Sequence, residues 1–343
     1  MAQRIRFKRH VRFLEAEGKV RSLSTKDEGV ELPGGEAFQR MLAAIVPMPE
    51  ADRFMAVLAG AMGVEEELVK ALADRLFATG LIEVFDDADT RHDLFDRQLH
   101  FFDVLAPVTD HAGNIARQQR LTDAQVLVLG LGGIGHQVAL SLAAAGVGSL
   151  VLVDGDTVEE SNLHRQILFA RTDTGRPKVE AAADGVRRVA PACAVVVRRA
   201  MITAPEEWVD LIAAFPNVRH VMISADRPLD LVGWISAQRT RFNYHAIKCG
   251  YMGVQGIIGP LLGPDTPGYD DLFDSWAPLI ASQCAAIARI NDEAVAPTMA
   301  ASNAIMANIA ALELIKHITG AGALTLLGRR MLLDLRDYST TIG

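Results

Sequence analysis

Cysteine is scarce in this chain: three in 343 residues, Cys193, Cys249 and Cys284, with no C-x-x-C pair among them. That scarcity excludes a disulfide framework and a thiolate zinc site, and a reducing cytoplasm is the expected setting. Basic charge is also short. Against 42 acidic side chains stand 34 Lys and Arg, a formal net charge of −8. An acidic chain is a poor partner for nucleic acid, whose phosphates draw a basic surface. No long apolar run follows the basic opening MAQRIRFKRHVRF, so no signal peptide is expected. The most apolar stretch, near 126–153, is broken by glycines and reads as strand–helix–strand rather than a membrane span. Aromatics are few, at 6%, but hydrophobic residues make up 50%, which rules out a disordered or collagen-like chain. At ~100–200 residues per domain, the length suggests two domains.

The texture changes along the chain. Residues 1–85 read as a small mixed domain. Strands are expected at 12–14, 19–23 and 30–32, helices at 36–45, 52–62 and 65–78, and a strand at 81–85. Leu68, Leu72 and Leu76 are spaced to share one helical face. A helix turning through Gly80 into an apolar strand suggests a winged-helix-like module. Its third helix carries Glu65, Glu66, Glu67 and Asp74 against Lys70 and Arg75, a poor surface for DNA, so a peptide- or protein-binding clamp is expected. Arg4, Arg6, Lys8, Arg9 and Arg12 crowd the first strands, where a peptide adding to a strand edge would find positive charge. Residues 86–120 read as an acidic linker and helical crossover. From 121 to 343, strands alternate with helices, the pattern of βαβ units and a mostly parallel sheet.

The sharpest motif is the apolar run Val126–Leu129 entering Gly130-Leu-Gly132-Gly133-Ile-Gly135, with a helix beginning at once. Glycines allow the tight turn and close approach of the backbone to phosphate, and the helix start supplies free N–H groups. Asp154 follows at the end of the next strand, where an acidic side chain meets a ribose hydroxyl. Downstream, Arg165 and Lys178 suit a triphosphate better than a dinucleotide: Arg offers a planar fork and Lys a point charge.

GLGGIG, then VDGDTVEESNLHRQ, then GRPK, then Ile223-Ser224-Ala225-Asp226, in this order over roughly 94–320, resembles the ThiF/MoeB and ubiquitin-activating superfamily of adenylating enzymes. Ser224–Pro228, Cys249-Gly250-Tyr251, Gly259-Pro260-Leu261 and the helix carrying Asn303 and Leu314-Ile315-Lys316 are most similar to its microcin-type (MccB-like) peptide adenylyltransferase branch. PaaA-like peptide-tailoring enzymes are a second likeness. The resemblance implies an α/β fold: a Rossmann-like, ThiF-type adenylation domain preceded by the small winged-helix-like domain. It further implies ATP held by Gly130, Gly132, Gly133, Gly135, Asp154 and Asp156. Asn162, Arg165 and Gln166 would contact phosphate, Lys178 would neutralise it, and Asp226 would hold Mg²⁺. A second reading makes Asp226 a helix N-cap. Asp96-Arg97-Gln98 resembles an element that reaches into a partner subunit's ATP site, which implies a homodimer; a solvated helix cation is the other reading of Arg97. Zinc-bearing members place cysteine pairs where this chain has Tyr269 and Leu272, and no cysteine stands near its C-terminus, so zinc is not expected. Phe273 and Trp276 would hold that segment by packing.

The expected activity is ATP-dependent activation of a ribosomally made precursor peptide. Two readings stand beside it: activation of the C-terminal glycine of a ubiquitin-like or sulfur-carrier protein, and a non-catalytic nucleotide- or peptide-binding scaffold. Passing an acyl group to cysteine needs an activated thiolate. Cys249 falls at an apolar strand end and Cys284 in a helical stretch, which makes neither a strong nucleophile.

Overall fold

The computed structural model describes residues 3–17, 19–23, 30–86, 94–108, 110–273, 282, 287 and 296–343. They divide into two compact units, 1–119 with 320–322, and 120–319 with 323–343.

The first unit carries β1 (Gln3–Phe7), β2 (Arg12–Ala16), β3 (Lys19–Leu23), β4 (Glu31–Pro33), α1 (Gly35–Ile45), α2 (Phe54–Met62), α3 (Glu66–Ala78), β5 (Ile82–Asp86) and α4 (Asp96–Leu105). Helix α5 (His111–Asp123) spans the division. Strands β2-β3-β4 form one antiparallel sheet, and β1 pairs antiparallel with β5 in another. Phe38, Met41, Ile45, Phe54, Leu58 and Leu76 form much of the core. The expected leucine face of α3 is rotated: Leu68 is 70% exposed, while Val69, Ala73 and Leu76 are buried. Eight residues advance a helix well past two full turns at 3.6 residues each. Leu68 and Leu76 therefore cannot lie on one line, and the i, i+4, i+7 set of 69, 73 and 76 faces inward.

The basic cluster of the first strands is largely engaged within this unit. Lys8 is buried and donates to Asp103 and to the Val108 carbonyl, each at 2.7 Å. Arg6 pairs with Glu83 at 2.8 Å and covers the Phe85 ring, and Arg9 pairs with Asp96 at 2.8 Å. Arg12 is exposed on β2, an edge strand.

The second unit is built on an eight-stranded sheet in the order β13-β12-β11-β10-β9-β6-β7-β8. Its strands are β6 (Gln125–Leu129), β7 (Ser149–Val153), β8 (Ala194–Arg198), β9 (His220–Ile223), β10 (His245–Met252), β11 (Gln255–Leu262), β12 (Met331–Asp334) and β13 (Thr340–Ile342). From β8 to β10 the neighbours are parallel; β11, β12 and β13 extend the sheet antiparallel. The helices are α6 (Gly135–Ala144), α7 (Lys178–Val189), α8 (Pro205–Ala213), α9 (Leu231–Phe242), α10 (Tyr269–Leu272) and α11 (Ala300–Thr319). Val126, Leu127, Val128 and Leu129 are buried, as a strand covered on both faces must be. Trp208 packs edge-on against Tyr244 and donates to its hydroxyl at 3.0 Å, which satisfies a polar pair inside the core.

Candidate functional site

The sequence order reverses beside β6, with β7 on one side and β9 on the other. Such switch points open a crevice at the carboxyl ends of the strands, and the motif residues of the second unit gather there. Gly130 turns the chain at φ +88°, and a Cβ on it would lie 2.6 Å from the Ala225 nitrogen. A Cβ on Gly133 would lie 2.1 Å from Asn303 Nδ2, whereas one on Gly132 would meet nothing within 4 Å. The turn is thus packed on two sides and open at Gly132, which leaves room for a ligand against bare backbone. Asp154 fixes the turn: its Oδ2 accepts from the Leu131 N–H at 2.6 Å and its Oδ1 from the Asp156 N–H at 2.8 Å.

Beyond Asp154 a polar cleft of about 420 Å³ is lined by Asp156, Glu159, Asn162, Arg165, Gln166 and Lys178, with Arg199 at its side. Lys178, at the start of α7, is buried and pairs with Asp156 at 2.8 Å. Asn162 is buried and its Oδ1 accepts from the Glu159 N–H at 3.2 Å, holding the loop. Arg165 donates to the Ser161 carbonyl at 2.8 Å. Gln166 is 2% exposed and its Oε1 has no hydrogen-bond partner among the described residues. An orphaned buried acceptor costs free energy. Two cations and a bare glycine turn fit a nucleoside triphosphate.

Asp226 stands exposed beyond β9. Helix α9 starts at Leu231 with Asp230 at its N-cap position, so the N-cap reading of Asp226 fails. Its free carboxylate suits Mg²⁺, which is held by one or two carboxylates together with substrate phosphates. Among the described residues no group of three or more His, Cys, Asp or Glu is arranged to hold a metal. Tyr269 packs at a tilt against Phe273, with ring centres 5.3 Å apart, and the Arg330 guanidinium lies 4.1 Å from the Phe273 ring centre; Trp276 lies outside the described residues. Arg97 belongs to the first unit, in the first turn of α4. It is exposed and has no hydrogen bond or ion pair among the described residues.

Neither described cysteine is activated. Burial pushes the Cys193 thiol up to about 11 and the Cys249 thiol to about 12. Cys284 lies outside the described residues.

Three residues were given no role in the sequence reading. Arg199 follows the carboxyl end of β8, where a basic pair is a usable signal. Ser224, part of the Ile223–Asp226 motif but given no role there, donates from Oγ to the Gly130 carbonyl at 2.7 Å. Lys248 sits half-buried in β10 and donates from Nζ to the Ala225 carbonyl at 3.0 Å. Burial pushes its ammonium down from the usual lysine range, and the Asp226 carboxylate opposes that shift. A charge in an otherwise apolar strand is the signal that points to it.

This arrangement defines a Rossmann-like nucleotide-binding α/β protein, with its phosphate turn tied to the neighbouring strand ends. More narrowly, the chain belongs to the ThiF family, whose pattern matches residues 95–341. It is 32% identical over 217 residues to adenylyltransferase and sulfurtransferase MOCS3-2 of Zea mays, matching 63% of this chain and 42% of that protein. It is 34% identical over 234 residues to the probable adenylyltransferase/sulfurtransferase MoeZ of Mycobacterium tuberculosis, matching 65% and 54%. The chain thus spans about half the length of these curated relatives. Among solved structures it resembles Escherichia coli MccB with AMPCPP and MccA (TM-score 0.82, 20% identity, 99% of this chain and 96% of that one). It also resembles PaaA (TM-score 0.74, 21% identity, 98% of each chain). The fold expectations, an adenylation-type α/β domain behind a small N-terminal domain, hold. Among the described residues no helix is long and apolar enough to cross a membrane.

Proposed function

We propose that the protein uses ATP to adenylate a carboxylate, or carboxamide-derived group, of a ribosomally made precursor peptide. In the carboxylate case an oxygen of the peptide attacks the α-phosphorus of ATP. The bond from that phosphorus to the bridging oxygen breaks, pyrophosphate leaves, and a mixed anhydride with AMP results. The chain's own part is positioning and charge. The glycine turn and Asp154 seat the nucleotide, Arg165 and Lys178 draw the phosphate charge, and Asp226 is placed to hold Mg²⁺. When bound, that ion neutralises developing negative charge. Asp156, Asn162 and Gln166 hold and orient the surroundings. A homodimer, in which an exposed Arg97 serves the partner's site, completes the proposal.

The observation that carries the peptide reading is the extent of the likeness. The curated relatives match 63–65% of this chain, whereas the MccB structure with AMPCPP and MccA matches 99% of it, the N-terminal unit included. Carrier-protein activation remains the second reading, favoured by the higher identity to MoeZ. Incubation with ATP, Mg²⁺ and either a short precursor peptide or a ubiquitin-like carrier ending in glycine separates them. Pyrophosphate release with the peptide, and peptide mass gained or altered by mass spectrometry, is expected. Release with the carrier alone would overturn the peptide reading.

A further inference from the structure

Ser224 and Ala225 are fastened firmly on one side. The Ser224 and Ala225 N–H groups donate to the Leu129 carbonyl at 2.9 and 3.1 Å, and Ser224 Oγ donates to the Gly130 carbonyl at 2.7 Å. All three bonds run to β6 and its turn, and none holds the Ala225 carbonyl. That carbonyl is taken from the other side by Lys248, at 3.0 Å. In the parallel register Lys248 lies opposite Ile223, so its long stem reaches two residues beyond the end of β9. Among the described residues no hydrogen bond holds the backbone of Asp226 or Arg227. Lys248 is therefore the last anchor before Asp226, and the Ala225 carbonyl it grips belongs to the peptide bond that leads into Asp226.

We propose that Lys248 is a positioning residue for the adenylation step, holding the Asp226 carboxylate in place through the Ala225 carbonyl. Several residue types could accompany the β6 bonds on a strand end. A lysine is distinctive because its ammonium both donates to Ala225 and acts on the Asp226 carboxylate. Charge and positioning make opposite demands on metal binding. A lysine acting only as a nearby positive charge repels Mg²⁺, so its removal should tighten the metal. A lysine that orders the carboxylate should loosen the metal when it is removed.

The proposal rests on the adenylation reading, and its test needs no peptide. ATP binding is measured by calorimetry across Mg²⁺ concentrations for wild type, K248M and K248R, with thermal midpoints alongside. K248M is expected to raise the half-saturating Mg²⁺ about tenfold, the size of effect found for residues that orient metal ligands. ATP affinity at saturating Mg²⁺ should stay within a factor of about two, since Lys248 orders Asp226 and does not contact the nucleotide in the proposal. K248R, which keeps charge and donor, should restore most of the loss. Should K248M fail to fold, K248A, which likewise removes donor and charge, carries the same readout. An unchanged or lowered half-saturation in a folded variant overturns the proposal. Amide exchange over residues 224–230 in nucleotide-free protein separates the two failures. Faster exchange in K248M, beside a wild type indifferent to ATP, supports the anchor and sinks the adenylation reading. Unchanged exchange and unchanged Mg²⁺ dependence sink the anchor.

Discussion

Lys178 meets the cleft with its charge already answered by Asp156, at 2.8 Å, and Asp156 is half exposed while Lys178 is buried. An incoming triphosphate must compete with that carboxylate for the ammonium. Removing the competitor and removing the cation should therefore act in opposite directions. Asp156→Asn keeps an acceptor for Lys178 but drops the charge, and ATP is expected to bind a few-fold tighter. Lys178→Met is expected to slow pyrophosphate release by about 100-fold, as loss of a charge-stabilising donor does, with little change in thermal midpoint. Binding isotherms and pyrophosphate assays check both, and weaker ATP binding by Asp156→Asn would argue against this competition.

Two neighbouring glycines in the turn between β6 and α6 serve different masters. Gly133 lies under Asn303 of α11, where a Cβ would fall 2.1 Å from Nδ2, while Gly132 faces open space. Gly133→Ala should displace a buried side chain and cost about 1–3 kcal/mol of stability. Gly132→Ala should leave stability within about 0.5 kcal/mol yet weaken ATP binding by obstructing the approach to the backbone. Urea melts and ATP titrations of the two variants test the division; equal effects on both would contradict it. At the opposite ends of the same strands, His220 of β9 meets His317 of α11 edge-on and His245 of β10 meets it tilted, with ring centres 5.3 and 4.0 Å from His317. Burial, reinforced by the neighbouring imidazoles, pushes His220 down to about 3 and His317 to about 4, with Arg219 adding to the first shift and Glu313 opposing the second. Burial lowers His245 too, against the pull of Asp265. Unfolded histidine takes its proton near pH ~6.5, so the unfolded chain binds more protons below that pH and stability falls with it. The loss should run from about pH 6.5 down to about 3 for this cluster, easing below about 4 where His317 has taken its proton. Urea melts across that window are expected to follow this course, and His317→Leu should reduce the slope; an identical slope would place the acid sensitivity elsewhere. None of this cluster was legible in the sequence, because 220, 245 and 317 meet only through sheet order and the docking of a distant helix. The glycine turn, Asp154 and Lys178 were legible because strand, turn and helix follow one another along the chain. Lys248 and Ser224 were not, since their partners lie 23 and 94 residues away.

At the scale of the whole molecule, the exposed Arg97 of α4 makes subunit mixing the informative experiment. Arg97→Ala and Lys178→Ala should each be nearly inactive alone. After proven subunit exchange, one site of each heterodimer carries both lesions and the other carries neither, so activity should recover towards half that of wild type per heterodimer. No recovery would confine Arg97 to its own subunit or to no role. A sheet of βαβ units was readable from the alternation of strand and helix. The engaged basic residues of the first strands were not, because Asp103 and Glu83 are brought to Lys8 and Arg6 by folding. The placement of β9 between β6 and β10 has a further outcome for the chain as it is made. Strand β6 gains β7 as its first neighbour soon after synthesis, but Leu129 waits for Ile223 to close its other edge. At ~5–20 residues per second the ribosome needs on the order of ten seconds to deliver β9. Throughout that interval a strand apolar from Val126 to Leu129 keeps one row of backbone groups unpaired, a template for joining another nascent chain. Chains released before residue 223 should accumulate as insoluble material, whereas release after β10 should leave the central edge closed.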